Sequence, residues 1–162
     1  MKTGKLSKDR LEKILKYLLI ITIALIWGQS MIKREISQIE SDSILRIVNP
    51  FSDVEIGDVT SDAYWHISDV FRKIAHLIEY GILGCELVAY KAIKTKNFIN
   101  KKEFINLMFM GLSVGLIDET IQAFSKRGSL VTDVWIDTLG VCLGLLLGRL
   151  VVRKVRSRDS KS

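Results

Sequence analysis

The sequence predicts an all-α fold: an integral membrane four-helix bundle with both termini cytoplasmic and a short amphipathic helix in the first outer loop. Three observations lead there. The 162 residues gather their apolar side chains into four blocks. Two stretches within those blocks, Tyr17 to Trp27 and Val141 to Gly148, have no polar face to offer water. Finally, 17 of the 24 basic residues fall into three clusters that alternate with an acidic connection.

A membrane-crossing helix needs about 20 mostly apolar residues. Residues 14–32, 104–124 and 130–152 meet that requirement, and residues 71–90 meet it with more charge than a simple hydropathy window accepts. A soluble helical bundle would carry wide polar faces, which argues against that class. The net charge of +6 does not point to nucleic acid, because no aromatic residues interleave with the basic ones. Instead, basic clusters precede the first block, surround the connection at residues 91–102 and close the chain. Between the first two blocks lie Glu35, Glu40, Asp42, Asp53, Glu55, Asp58, Asp62 and Asp69. The positive-inside rule then places both termini in the cytoplasm and the acidic loop outside, in a multi-pass plasma-membrane protein. The basic ends are suited to anionic headgroups, so membrane lipids are expected partners and nucleic acid is not.

Residues 1–13 read as a basic cytoplasmic segment, 14–152 as the membrane domain and 153–162 as a basic cytoplasmic tail. The first block resembles a secretory signal, but Gly28-Gln29-Ser30-Met31 offers no small-residue cleavage site, so it reads as an uncleaved span. Ile36, Ile39, Ile44, Ile47 and Val48 recur at helical spacing, predicting an amphipathic helix that stops at Asn49-Pro50. Tyr64, Trp65 and His66 suit the headgroup level, and Ser68 or Asp69 is placed to cap the second span. Within that span Lys73, His76 and Tyr80 share one side, flanked by Glu79 and Glu86. Glu86 lies lower and reads as a packing or lipid-interface residue. The third span aligns Gly111, Gly115, Asp118 and Gln122, with Glu119 beside them. The fourth aligns Asp133, Asp137, Gly140, Gly144 and Gly148. Small residues every fourth position let membrane helices approach closely. Cys85 and Cys142 lack metal-ligand spacing and read as small core residues.

Topology brings these polar groups together. The second and fourth spans begin at the outer face and the third ends there. At a rise of about 1.5 Å per residue, Lys73, His76, Glu79, Tyr80, Asp118, Glu119, Gln122, Arg127, Asp133 and Asp137 all reach the outer half of the bilayer. Ionisable residues at such depth are costly, and they mark either a working site or a register-fixing pair. Five acids face only Lys73 and Arg127, or three cations if Arg72 is added. Shared protons, a protonated His76 or a bound cation must make up the difference, and shared protons ask least.

With these spacings the chain resembles the VanZ-like family of bacterial membrane proteins. The resemblance rests on Lys73-x-x-His76-x-x-Glu79-Tyr80-x-x-Leu83-Gly84 and Asp118-Glu119-x-x-Gln122-x-Phe124. It continues through Arg127, Ser129, Asp133 and Asp137-x-x-Gly140-x-x-x-Gly144. It covers about half of the chain. The family commonly has Asn where this chain has Asp137. The resemblance implies action at the cell envelope, since the family's name-bearer is associated with low-level resistance to the glycopeptide teicoplanin.

Three functions compete. The first is a binding or protective module for an envelope lipid, a lipid-linked cell-wall precursor or a glycopeptide-like ligand. In it Lys73 and Arg127 meet anionic groups, and the acids meet hydroxyls or amines. The second is an intramembrane hydrolase or transferase with His76, Glu79 and Asp118 as candidate acid–base groups. The third is a proton- or cation-coupled transporter, disfavoured because the acids crowd one half of the bilayer. One histidine is thin evidence for a metal site, so neither metal nor cofactor is expected.

Overall fold

A computed structural model describes residues 2–31, 62–95, 99–125 and 131–159. They form four helices: α1 (Lys2–Met31), α2 (Asp62–Lys94), α3 (Lys101–Phe124) and α4 (Val131–Asp159), with no strand among the described residues. The amphipathic helix expected at residues 36–48 lies outside them, as does Arg127. Three stretches, Lys8–Met31, Lys101–Phe124 and Thr132–Arg158, are long and apolar enough to cross a membrane. The 33-residue α2 is long enough, but Asp69, Arg72, Lys73, Glu79 and Glu86 make it too polar to join them by composition.

Several boundaries differ from expectation. The helices α1 and α4 run into the basic ends, because Lys and Arg are good helix formers and nothing there breaks the pattern. The second helix begins at Asp62, ahead of residue 71, so neither Ser68 nor Asp69 caps it. Asp69 instead reaches forward along the helix surface, to Arg72 at 2.9 Å and Lys73 at 2.5 Å. The start of α3 follows local chemistry closely. The Asn100 side chain accepts from the Glu103 amide at 2.8 Å, and the Glu103 carboxylate accepts from the Asn100 amide at 3.1 Å, forming a capping box.

Helix α2 is central. It touches α1, α3 and α4, most extensively α4, whereas α1 and α4 do not meet. Glycine makes the α2–α4 contact possible. A Cβ on Gly144 would overlap the Gly81 carbonyl oxygen, and one on Gly84 would stand 2.5 Å from the Val141 carbonyl oxygen. Backbone therefore lies against backbone. The Cys85 thiol donates to the Gly144 carbonyl at 3.2 Å across the same contact. Around it pack Leu83, Leu87, Val88, Leu107, Val141 and Leu145.

The exterior is apolar. Ile14, Ile21, Leu25, Phe109, Leu116, Leu143, Leu147 and Leu150 are all exposed, while Asp118, Gln122 and Asp137 are fully enclosed. That inverted distribution suits a lipid surround. Hydroxyls on the helix surfaces are satisfied locally: Ser113, Thr120 and Thr138 each donate to the carbonyl four residues back. At the opposite end from the acids, Arg156 donates to the carbonyls of Ala92 and Thr95, at 2.6 and 2.8 Å. Lys91 pairs there with Glu103 at 3.2 Å.

Candidate functional site

Helical periodicity delivers one polar stripe from each helix. On α3 the buried positions are Leu107, Gly111, Gly115, Asp118, Glu119 and Gln122, a single face whose glycines lie below its acids. On α4 Asp133 and Asp137 sit above Gly140 and Gly144, all buried. On α2 His76 and Tyr80 occupy the corresponding turns. The first helix adds Ser30 above Ile26, both buried.

These stripes meet in an inner group. Ser30 donates its hydroxyl to Asp118 Oδ1 at 2.5 Å. Gln122 Nε2 donates to Asp118 Oδ2 at 3.0 Å and to Glu119 Oε1 at 3.3 Å. His76 Nδ1 lies 3.1 Å from Asp137 Oδ1. A carboxylate at that position favours the Nδ1–H form and leaves Nε2 with the lone pair. The His76 and Tyr80 rings stack with centroids 6.3 Å apart, and the Tyr80 hydroxyl is close to Asp118. That hydroxyl has no partner of hydrogen-bonding geometry among the described residues. The same is true of Glu119 Oε2, Gln122 Oε1 and Asp137 Oδ2.

A second, outer group is arranged differently. Arg72 pairs with Asp69 and reaches Asp133 at 3.5 Å, while Lys73 pairs with Asp69. Arg72, Lys73 and Asp69 are partly exposed and Asp133 is buried, and together they form an ion-paired rim. A shallow surface dent, with no enclosed room for a water molecule, is lined by Arg72, Lys73, His76, Asp133 and Ile136. His76 is the one residue common to the dent and the inner group.

Of the ten residues the sequence brings to one depth, six gather in the inner group: His76, Tyr80, Asp118, Glu119, Gln122 and Asp137. Lys73 and Asp133 belong to the rim, so Lys73 does not offset the inner acids directly. Glu79 turns toward α1 and is hydrogen bonded by Gln29. Arg127 lies outside the described residues.

Sequence reasoning missed the contribution of α1. Gln29 and Ser30 end the apolar stretch of α1 at the level of the cluster, and that polar pair was the signal available in the sequence. The Ser125 hydroxyl further ties α3 to α1 by donating to the Ser30 carbonyl at 2.9 Å. Glu86 takes the packing alternative of its two expected roles. It is buried and accepts from the Thr22 hydroxyl at 3.0 Å, a polar link between α1 and α2 below the site.

The inner group can accept protons, exchange them through His76, and receive hydroxyl, amine or cationic groups on its free oxygens. The family profile described as VanZ/LLP1 matches residues 15–152. No match was found among curated proteins or among solved structures.

Proposed function

The chain belongs to the VanZ/LLP1 family, and from that premise we propose a multi-pass protein of the bacterial plasma membrane that binds envelope ligands in the outer half of the bilayer. Its four helices form a bundle spanning the bilayer with both termini cytoplasmic, and α2 crosses with its charges turned toward its neighbours. Three apolar helices, a lipid-suited exterior and the basic ends support this reading. The exposed Trp135 and Phe124, at the level of the polar cluster, suit an outer headgroup interface.

The ligand is an envelope lipid, a lipid-linked cell-wall precursor or a glycopeptide-like molecule. One observation carries this: four helices enclose acids with free oxygens beneath a rim of Arg72 and Lys73. Anionic phosphate suits the rim and hydroxyl or amine groups suit the acids. A part in glycopeptide resistance, teicoplanin included, follows from binding of this kind. The test is expression of the wild type and of Asp118→Asn in a susceptible host, with folded protein matched. Wild type is expected to lower teicoplanin susceptibility or retain a lipid-linked precursor on purification, and the variant to lose both. Unchanged susceptibility together with no retained envelope ligand overturns the proposal.

The 3.1 Å contact between His76 and Asp137 supports a second reading, an intramembrane hydrolase or transferase. In it Asp137 orients the imidazole, His76 acts as general base toward water, and Glu79 or Asp118 serves as the acid. Mass spectrometry of envelope lipids incubated with wild type and His76→Gln distinguishes the two. Binding without turnover in both proteins rejects the enzyme.

A further inference from the structure

We propose that His76, Asp118, Glu119 and Asp137 form a binding site for one divalent transition-metal cation of the Mn²⁺ or Zn²⁺ class. Each residue offers one donor atom, and the four atoms lie within 4.8 Å of one another. Ligands sharing an ion at about 2.1 Å stand roughly 3 to 4.2 Å apart, so small side-chain rotations bring all four onto one ion. The donors come from α2, α3 and α4; below them α2 and α4 pack backbone to backbone, and Gly111 of α3 packs on the Val141 side chain of α4.

An independent observation points the same way. Asp137 is 1 % exposed and Glu119 6 % exposed, yet Asp137 Oδ2 and Glu119 Oε2 have no hydrogen-bond partner among the described residues. Buried oxygens of this kind are costly unless something coordinates them. Asp137 Oδ2 faces α3 at Gly115, 3.5 Å from where a Cβ would stand, toward the helix that carries Asp118 and Glu119. Among the described residues Ser30, Gln122 and His76 hydrogen bond to the three acids, and the first two are neutral. Arg72 and Lys73 make their ion pairs with Asp69 and Asp133 at the rim. A divalent cation supplies the charge that the inner group lacks.

The donor set indicates the class. Three carboxylates and one imidazole suit Mn²⁺ or Zn²⁺. Ca²⁺ prefers six to eight oxygens and Cu⁺ prefers sulfur. The site draws on the same unpartnered oxygens as the ligand-binding reading, but ion uptake is measured with no envelope ligand present, so failure of one proposal is distinguishable from failure of the other.

The test uses the full chain in nanodiscs, stripped with EDTA, dialysed, and titrated with MnCl₂ or ZnCl₂. Equilibrium dialysis with elemental analysis is expected to give one ion per chain and a metal-dependent rise in unfolding temperature. Asp137→Asn and Glu119→Gln are each expected to weaken binding at least as much as the roughly 10–100-fold loss seen for outer-shell changes. Asp69→Asn, at the rim, is expected to bind as wild type does. In the wild type alone, electron spin-echo spectroscopy of bound Mn²⁺ is expected to show coupling to an imidazole nitrogen. Folded wild type that takes up no stoichiometric ion overturns the proposal, as does bound Mn²⁺ without nitrogen coupling. Binding that survives the Asp137→Asn/Glu119→Gln double substitution does so too.

Discussion

Two neighbouring levels of the α2–α4 contact are built by opposite means. Around Gly81, Gly84 and Gly144 the helices meet backbone to backbone, and the Cys85 thiol donates across the contact to the Gly144 carbonyl. Just above, at His76 and Asp137, side chains span the gap and leave an oxygen unpartnered. The lower level contributes contact and rigidity, and the upper level spends part of that stability on unsatisfied polar groups. A buried polar cluster tolerates unpartnered atoms only where adjoining structure fixes it in place. The glycine level is that support.

Breaking the lower level is expected to have the largest effect. A Cβ at Gly144 meets backbone, which cannot rotate aside, so Gly144→Ala is expected to destabilise the protein by about 3 kcal/mol, the upper range for overpacking. Gly28, where a Cβ meets nothing within 4 Å, is the control, and Gly28→Ala is expected to be neutral or mildly stabilising. Thermal unfolding in detergent checks both, and equal losses at the two positions refute the comparison.

An intermediate effect is expected at the upper level. Ser30→Ala removes the α1 donor to Asp118 Oδ1 and leaves a buried oxygen unsatisfied, at a cost of about 1–3 kcal/mol. A double-substitution cycle with Asp118→Asn measures whether the two residues act through each other. Additive losses would mean that they do not.

The smallest effect belongs to the rim. Lys73 and Asp69 have side chains about a third exposed, so Lys73→Ala is expected to change stability by less than about 1 kcal/mol, and less still in high salt. A larger loss in unfolding experiments would show that the rim supports the fold and is not merely available to ligand.

Much of this was legible in the residues. Apolar blocks marked α1, α3 and α4, and four-residue spacing placed Asp118 with Gly111 and Gly115 and Asp137 with Gly144 on common faces. Asn100 with Glu103 is a local cap that the residues also carried but that went unread, which is why α3 starts at Lys101 and not at residue 104. The boundaries were less legible, because Lys and Arg neither stop a helix nor require it to continue. Asp69 illustrates why: an acid near a helix start can cap it or pair along it, and the choice depends on where Arg72 and Lys73 point.

Composition and periodicity by themselves determined that the chain is helical, that most of it is too apolar for water, and that its acids lie at helix ends above glycine seams. Those properties follow from single segments and their 3.6-residue repeat. Only the packed structure decided which polar groups touch: Ser30 with Asp118, Thr22 with Glu86, His76 with Asp137, and Lys73 with Asp69 rather than with the inner acids. Such pairings depend on the rotation and depth of each helix against its neighbours. At this site those are set by backbone contact at Gly84 and Gly144, where two separate helices fit into one another.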